Sequence, residues 1–505
     1  MQTFRARPLL LVLIVLVGAG LLASARQSEA GSGQTFLVVY KASSVPADAP
    51  STISRAGGAV VYTYPQIGVA VAASANPAFG INLQTADNRV LGAVATTAFR
   101  VSMHEGSALR IQPGFTAPVP LPPAPGGDSL SGLQWDMDQI QAPEAHAITD
   151  GSPSVIVGVL DSGIDYTHPD LAPNIDFADA VSCVGGAPNQ APDAWADTLG
   201  HGTMTAGIIA AAQNGLGIVG VAPKVKIAPV RVASEDFLIY PEAVVCGFMW
   251  AASHRFAVTN NSYFADPWYF NCRNDETQRA IWEAERRAIR YAIQQGVVVV
   301  AVLGNYSDDL AHPTQDVVSP DNSTPEARTI HNNCAVVPAE VPGVIGVAAN
   351  GNLRMKSYYS NYGVGVTQVI APGGDDLQVT ETALNGMVLS TWPGYPVVGD
   401  FFGLPKVTDA GANYAYWEGT SFAAPHVAGV AALLASRGFN SPGAVAAQLL
   451  NTADAMPCPS DMSFYAPFPS VSNGAPQVCQ EGSGCNGFNG RGQVNALRAV
   501  AKGTR

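Results

Sequence analysis

The pattern of apolar and polar positions divides the chain into two structured regions. From Gln34 to about Val101, short apolar segments rich in β-branched residues alternate with turn residues. This alternation predicts a small α+β unit with a short helix near Ala75–Leu83. Its strands are predicted at Phe36–Tyr40, Ala59–Tyr64 and Ile67–Val71, the last two joined by a Pro-Gln turn.

After about Ser131 the pattern changes to continuous apolar runs separated by longer helical segments. Continuous runs of β-branched residues are typical of central strands in a parallel sheet. A helix is predicted at Glu276–Gln295, with Asp275 as its N-cap and Gly296 just past its end, and another at Ser421–Ser436. Alternating strands and helices favour an α/β fold, a doubly wound, mostly parallel sheet with helices on both faces. The strand runs are Val155–Leu160, Val297–Val302 and Val344–Val347.

Proline and glycine crowd the stretch between these two regions, from about Gln112 to Gly127. Such a composition predicts an extended, exposed linker that proteases reach easily. A chain of 505 residues also exceeds what a single core usually supports. The predicted domains are therefore 34–103, a linker at 104–130, and 131–505.

The first residues have the form of a secretory signal peptide. Arg5 and Arg7 precede an apolar run at Leu9–Leu22, and small residues follow at Ala23 and Ala25. The run is short for a membrane span, which needs about 20 residues, so cleavage after Ala25 is favoured over an uncleaved anchor. We expect residues 1–25 to be removed, leaving a secreted protein with no stable membrane anchor.

Charge and cysteine content narrow the functional classes. The net charge is −13 and no basic cluster is present, which argues against nucleic acid as a partner. No C-x-x-C pair occurs, so a zinc site is disfavoured, and export favours disulfides. Seven cysteines leave at least one thiol over if all pairs are internal. They are Cys183, Cys246, Cys272, Cys334, Cys458, Cys479 and Cys485.

Three polar residues stand where strands end or helices begin. Asp161 closes the first apolar strand run, His201 opens an apolar helix, and Ser421 opens another. A serine hydroxyl becomes a nucleophile when an imidazole takes its proton, and a carboxylate fixes the imidazole tautomer. Because strand ends and helix starts meet at one edge of a parallel sheet, the three side chains are expected to converge there.

The segments around these residues resemble the subtilisin family of serine proteases. The motifs are Asp161-Ser162-Gly163, Gly200-His201-Gly202-Thr203 and Gly419-Thr420-Ser421, and the resemblance runs from about Gln134 to the C-terminus. It implies a serine endopeptidase acting on proteins or peptides, with Asp161, His201 and Ser421 as the triad. It also implies that Asn305 donates to the oxyanion and that catalysis uses no cofactor.

Two departures from the family pattern concern the substrate and the nucleophile. Ser262, Tyr263 and Phe264 match the substrate-binding strand, but the family usually has glycine at the position of Phe264. Gly304 is the fourth residue that the resemblance implies for substrate binding. Phe422 stands where the family usually has methionine. Substrate preference therefore does not follow from the resemblance.

The resemblance also implies a structural Ca²⁺ site. The segment from His201 to Pro223 matches the family without a gap. Carboxylate, amide and carbonyl oxygens suit this hard cation. The alternative is a plain Asn-Gly turn at Asn214-Gly215. The implied ligands are Asp170, the side chain of Asn214, and the carbonyls of Ala212, Leu216 and Ile218.

Further expectations follow from the same resemblance. The N-terminal unit is expected to be an inhibitory prodomain, and Cys183–Cys246 and Cys272–Cys334 are the implied disulfides. At least one more pair is expected among the three last cysteines. His168 and His426 are interpreted as structural, and Asp165 as making a local hydrogen bond.

Two other interpretations remain open at this point. One is a catalytically inactive binding protein on the same fold, against which the intact triad residues count. The other is that the N-terminal unit has a role of its own and inhibits proteases in trans.

Overall fold

A computed structural model describes residues 33–96, 127–235, 237–383 and 385–501. The predicted signal peptide and most of the predicted linker lie outside these ranges. The helices are α1 Ala49–Arg55, α2 Phe79–Ala86, α3 Trp135–Gln139, α4 Ala142–His146, α5 Pro192–Trp195, α6 His201–Ala210, α7 Pro241–Ser253, α8 Glu276–Gln294, α9 Thr420–Ser436, α10 Pro442–Thr452 and α11 Ala496–Ala501. The strands are β1 Gln34–Tyr40, β2 Ala59–Tyr64, β3 Val69–Ser74, β4 Val90–Ala95, β5 Ile156–Asp161, β6 Val181–Ser182, β7 Lys226–Arg231, β8 Val258–Asn261, β9 Asn271–Cys272, β10 Val298–Val302, β11 Gln315–Asp316, β12 Arg328–Thr329, β13 Cys334–Ala335, β14 Ile345–Asn350, β15 Val369–Pro372, β16 Val388–Trp392, β17 Lys406–Asp409, β18 Ala412–Trp417, β19 Glu481–Gly482 and β20 Cys485–Asn486.

The core of the larger region is a seven-stranded sheet in the order β15-β14-β10-β8-β5-β7-β6. All six neighbouring pairs are parallel. Helices α6 and α9 lie against one face of the sheet, and α7 and α8 pack with the other face. The predicted doubly wound parallel sheet is therefore confirmed.

The elements predicted from apolar runs appear within one to four residues of their expected ends. Helix α8 begins after Asp275, whose side chain accepts a hydrogen bond from the backbone N–H of Gln278 at 2.9 Å. The sequence patterns missed β7, β8 and β15, which lie inside the same sheet.

Residues 33–96 form a four-stranded antiparallel sheet in the order β2-β3-β1-β4, with α1 and α2 on one face. Alternate residues of β1 point to opposite faces of the sheet, and both faces are buried. Val38 packs towards the unit's own helices, whereas Val39 packs against the apolar core that contains α7 and α8. Arg287 on α8 donates to the carbonyl oxygens of Tyr40 and Ile67, at 2.9 and 3.1 Å. The N-terminal unit thus covers these two helices.

Three disulfides link the cysteines of the larger region. The predicted pairs Cys183–Cys246 and Cys272–Cys334 are both present, and Cys458–Cys479 supplies the third. Cys485 is the remaining free thiol. Among the described helices, none combines the length and the apolar character that crossing a bilayer requires.

Candidate active site

The ends of three adjacent strands bring the predicted site residues to one edge of the sheet. Asp161 is the last residue of β5, Ser262 follows β8, and Asn305 follows β10. These strands are neighbours in the sheet and run parallel. The topology therefore explains why residues far apart in sequence meet in one crevice.

Asp161 and His201 form a direct side-chain pair. The Asp161 carboxylate is 3% exposed, and its Oδ1 lies 2.7 Å from His201 Nδ1. Oδ1 also accepts from the backbone N–H of Ser162 at 2.8 Å, which fixes the carboxylate. With the carboxylate accepting at Nδ1, the other ring nitrogen, Nε2, is the one free to act on a substrate or nucleophile.

The pKa of His201 reflects opposing influences. Burial lowers it, but the charge of Asp161, the hydrogen bond to Asp161 and the charge of Asp197 together raise it above its ordinary value. An imidazole held in this way accepts a proton readily and holds it while a reaction proceeds.

Ser421 is the second residue of α9 and is half-buried. Its hydroxyl donates to the carbonyl oxygen of Ser262 at 3.3 Å, and the Ser262 hydroxyl donates to the carbonyl oxygen of Ser421 at 2.8 Å. Asn260 donates in turn to the Ser262 hydroxyl at 2.9 Å. These bonds hold Ser421 against the end of β8. Its hydroxyl must break the 3.3 Å hydrogen bond to the Ser262 carbonyl before it can donate to His201.

A neighbouring threonine orients Asn305. Its Oδ1 accepts from both the backbone N–H and the hydroxyl of Thr420, at 2.9 and 2.8 Å. This fixes the amide so that Nδ2 is the donor left for another group. Nδ2 lies beside Gly419, where a Cβ would be 3.5 Å away. Thr420 entered the sequence argument only as part of a motif, and its orienting role was missed.

Tyr263 and Phe264, two of the four predicted substrate-binding residues, differ in how far their side chains are buried. Tyr263 is 8% exposed and its hydroxyl donates to Asn261 Oδ1 at 3.1 Å, so its side chain points inwards. Phe264 is half-buried, with its ring centroid 5.2 Å from that of Tyr269 and 6.3 Å from that of Tyr306. Phe264 therefore adds a partly exposed ring to an aromatic cluster that reaches Tyr306, the residue after Asn305.

Gly304 comes two residues after the end of β10 and has a backbone conformation with φ +106°. A Cβ at this position would come within 2.6 Å of Asn361 Nδ2. Asn361 itself donates to the Leu303 carbonyl at 2.8 Å and accepts from the Tyr306 N–H at 2.9 Å. One buried amide thus shapes the loop that carries Asn305, a role that sequence reasoning did not assign.

Asp197 is a second buried carboxylate beside the pair, and sequence reasoning missed it. It is 1% exposed and accepts from the hydroxyl of Ser162 at 2.8 Å. It also accepts from the N–H groups of Leu199, Gly200 and Thr203, and from the Thr203 hydroxyl. Because Ser162 follows Asp161 and the other donors flank His201, this carboxylate ties the end of β5 to the start of α6.

The three residues interpreted as structural or local make the contacts expected of them. Asp165 accepts from the N–H and hydroxyl of Thr167, at 2.9 and 2.6 Å. His168 Nε2 lies 2.9 Å from the Asn413 carbonyl oxygen. His426 is fully buried, with its Nε2 3.0 Å from Asp136 Oδ2.

The residues expected to bind Ca²⁺ lie around one loop. Asp170 is fully buried; its Oδ2 accepts from the Tyr414 hydroxyl and the Ile218 N–H, whereas its Oδ1 has no partner among the described residues. Burial raises the pKa of Asp170 to about 7. Asp128, which the sequence did not single out, accepts from the N–H groups of Asn214 and Gly215 at 3.0 and 2.8 Å. The buried, unsatisfied oxygen of Asp170 suits a hard cation. Asn214 Oδ1, in contrast, accepts from the Leu216 N–H at 2.9 Å, which is the bond expected of the alternative Asn-Gly turn.

Comparison with known proteins identifies a family and relatives that are similar in sequence to this chain. The family model described as the subtilase family, peptidase S8, matches residues 152–484. Thermitase from Thermoactinomyces vulgaris is 32% identical over 335 residues, covering 65% of this chain and 91% of thermitase. Fervidolysin from Fervidobacterium pennivorans is 32% identical over 340 residues, covering 65% of this chain but only 41% of fervidolysin.

A solved structure extends the similarity in fold to almost the whole chain. The epidermin leader peptide processing serine protease from Staphylococcus aureus superposes with a TM-score of 0.67 at 21% identity. The match covers 94% of this chain and 100% of that structure. At this identity the likeness concerns the fold alone.

Proposed function

Because this chain belongs to the subtilase family of serine peptidases, we propose that it is a secreted endopeptidase that hydrolyses peptide bonds through an acyl-enzyme on Ser421. The observation that carries the proposal is the short contact between Asp161 Oδ1 and His201 Nδ1, at the edge of the sheet where Ser421 and Asn305 also lie.

In the first step the Ser421 hydroxyl leaves the Ser262 carbonyl and gives its proton to His201 Nε2. Oγ bonds to the carbonyl carbon of the substrate, and the electron pair of the C=O bond moves to oxygen. Asp161 stabilises the imidazolium that forms, without taking the proton itself. Burial of the pair strengthens this interaction relative to water.

The new oxyanion needs donors already aimed at it. Asn305 Nδ2 is one, because Thr420 holds the other end of the amide. The second is the N–H of Ser421, a first-turn group of α9 that lacks an intrahelical partner. The intermediate then collapses, His201 protonates the leaving amine, and water repeats the sequence to release the acid.

A fluorophosphonate probe tests this assignment directly. The wild-type protein should form a phosphonyl ester at Ser421, detectable as a mass increase on the peptide that carries it. Ser421→Ala should remain unlabelled, and Ser436→Ala, which changes a serine at the far end of the same helix, should label normally. A folded wild-type protein that neither reacts nor cleaves unfolded casein would instead favour a binding protein on this fold.

We propose that residues 34–103 act as an inhibitory prodomain, removed by cleavage in the linker at 104–130. Support comes from the packing of the N-terminal unit on α7 and α8. Ser421→Ala should then accumulate with residues before Ser131 still attached. Secretion of that variant at the mature size would assign the processing to another protease.

We also propose a structural Ca²⁺ held by Asp170, the side chain of Asn214 and the carbonyls of Ala212, Leu216 and Ile218. The ion would stabilise the loop that follows α6 and takes no part in the chemistry. The unfolding temperature should be clearly lower in EDTA than in millimolar Ca²⁺, and Asp170→Asn should abolish the difference. Equal temperatures for the wild type would count against the site.

A further inference from the structure

Three large apolar side chains stand exposed on one short segment between β16 and β17. Phe401 is 81% exposed, Val398 44% and Tyr395 36%. Most residues of these types in the described part of the chain are buried, since exposing them costs free energy. We refer to Tyr395, Val398 and Phe401 as the apolar ridge. Exposed apolar side chains grouped on one short segment are candidates for a binding surface.

The ridge is held in place by the residues that directly precede His201. The N–H groups of Val398 and Gly399 donate to the carbonyl oxygens of Thr198 and Leu199, at 3.1 and 3.0 Å. The Tyr395 hydroxyl donates to the Asp197 carbonyl at 3.0 Å. These three hydrogen bonds hold the ridge against Asp197, Thr198 and Leu199, which precede His201 by four, three and two residues in the sequence.

A tryptophan supports the ridge from below. The Trp392 side chain is 1% exposed, and its Nε1 donates to Asp400 Oδ1 at 3.0 Å. Its ring lies so close to Gly200 and Gly399 that a Cβ at either position would approach within 2.6 and 2.8 Å of it. The segment is therefore packed against a rigid base, and its exposed side chains are presented in a fixed arrangement.

An aromatic path joins Phe402, the residue after Phe401 of the ridge, to the imidazole. The Phe402 ring centroid is 5.5 Å from that of Trp417, which lies 5.8 Å from His201 in an edge-on arrangement. Asn305, in contrast, follows β10, which is separated from β5 by β8. Because His201 protonates the leaving amine in the proposed reaction, the part of the substrate that follows the scissile bond must pass on the His201 side.

We propose that the apolar ridge binds apolar side chains of the substrate in the first three positions after the scissile bond. The inference rests on the proposed endopeptidase function and names a preference for that site. The occupant is an extended peptide with Leu- or Phe-like side chains, since the ridge offers aliphatic and aromatic surface on a segment that is hydrogen-bonded to the residues just before His201. Rate is gained because the contacts persist in the transition state for acylation.

Matched peptides test the preference. A digest of unfolded casein by the secreted wild-type enzyme first supplies a peptide that is cut at one bond. Versions of that peptide are then made with Leu, Phe or Ser at each of the three positions after the bond, and kcat/KM is measured. At the best position, we expect Leu or Phe to be favoured over Ser by roughly fivefold, less than a closed pocket gives.

The double variant Val398→Ser, Phe401→Ser should reduce this ratio to about 1, while the rate of fluorophosphonate labelling stays unchanged. Val471→Ser, which alters another side chain that is 52% exposed, should keep the wild-type ratio. A wild-type ratio near 1, or a ratio that survives the double variant, would overturn the inference. An unchanged ratio together with weaker retention of the N-terminal unit would also overturn it, and would assign the ridge to binding that unit. An unchanged ratio together with a change of mass in solution would assign the ridge to contact with a second copy of the chain. Failure of the proposed function itself would look different, since the wild type would neither label nor cleave casein.

Discussion

Replacing Asp197 with asparagine should separate the charge of the second carboxylate from the shape of the site. The carboxylate is buried and receives five donors. Oδ1 accepts from the Ser162 hydroxyl and the N–H groups of Leu199 and Gly200, and Oδ2 accepts from the N–H and hydroxyl of Thr203. Asparagine has the same size but offers only one acceptor oxygen, so its NH₂ group must face donors on one side.

The loss of stability follows from those unmet bonds. If the introduced amide keeps the three donors on one side, the two from Thr203 lose their acceptor. A buried donor left without a partner costs about 1–3 kcal/mol, so the two lost bonds lead us to expect that Asp197→Asn lowers the free energy of unfolding by about 2–6 kcal/mol. Urea denaturation at neutral pH measures this directly.

The effect on activity concerns pH. The reaction requires neutral His201, and the charge of Asp197 is one of the influences that raise the pKa of His201. Removing that charge lowers the pKa, so the imidazole stays neutral in more acidic solution. The acid limb of kcat/KM against pH should therefore move to lower pH in Asp197→Asn, even though the overall rate falls.

Thr203→Val is the matched control. It removes the Thr203 hydroxyl donor from Asp197 but neither adds nor removes an ionisable side chain. It should destabilise the protein, and its acid limb should move less than that of Asp197→Asn, since the carboxyl group of Asp197 is still present. If the acid limb of Asp197→Asn coincides with that of the wild type, or moves to higher pH, the reasoning about the second carboxylate is wrong.

Two further predictions concern the neighbours of Ser421. Asn305→Ala should lower kcat by about 100- to 1,000-fold with little change in KM, because the donor acts on the oxyanion and not on the ground state; an equal change in both constants would point to a role in substrate binding. Phe422 is 1% exposed with its ring centroid 5.5 Å from that of His201, so Phe422→Met should be inactivated by dilute peroxide much faster than the wild type, as the sulfoxide would place a polar group against the imidazole. Equal rates of inactivation would show that another residue limits oxidative survival.

The larger features of the fold could be predicted because they depend on local patterns. Continuous apolar runs identified β5, β10 and β14, and a capping aspartate identified the start of α8. Strand β7 was missed because it contains Pro229, which is unusual inside a sheet. The structure accommodates this residue because its outer neighbour β6 pairs only with Val230 and Arg231.

The apolar patterning missed β8 for a different reason, although the family resemblance placed the substrate-binding strand at Ser262–Phe264, directly after it. It ends in Asn260 and Asn261, both fully buried, and polar residues at a strand end do not produce an apolar run. Asn261 is tolerated because its amide donates to the Val300 carbonyl on the neighbouring strand at 2.9 Å. Such a partner is fixed by the sheet order, and local sequence carries no signal for it.

The candidate site shows the same division. The residues expected to do the chemistry stand in short motifs, so the sequence could name them. The residues that orient them, such as Thr420 for Asn305 and Asn361 for the loop after β10, act through partners about 50 to 120 positions away. Asp197 had no motif-level signal because its role depends on two elements meeting. What local sequence could not supply was the set of long-range hydrogen bonds.

A buried glutamate under the N-terminal unit leads to a prediction about its release. Glu242 lies in the first turn of α7 and is 2% exposed. Thr96 of the N-terminal unit hydrogen-bonds to its carboxyl group. Gly186 lies between Glu242 and Val71 of the N-terminal unit, since a Cβ at Gly186 would come within 2.9 Å of the first and 3.0 Å of the second. Burial raises the pKa of Glu242 from its ordinary 4.5 to about 7. We therefore expect the carboxyl group to be neutral in the complex and to ionise freely once the unit leaves.

The sign of the pH dependence follows from this difference. Below about pH 4.5 the carboxyl group is neutral in both states and affinity is greatest. As the pH rises to about 7 only the free enzyme ionises, so the N-terminal fragment should bind progressively more weakly, by at most about 3 kcal/mol, and then remain constant. The inhibition constant of the fragment released by maturation, measured between pH 4 and 8, should show this loss, and Glu242→Gln should flatten the curve because the amide cannot ionise. A wild-type curve that stays flat, or a glutamine variant that keeps the slope, would mean that another group links proton binding to release.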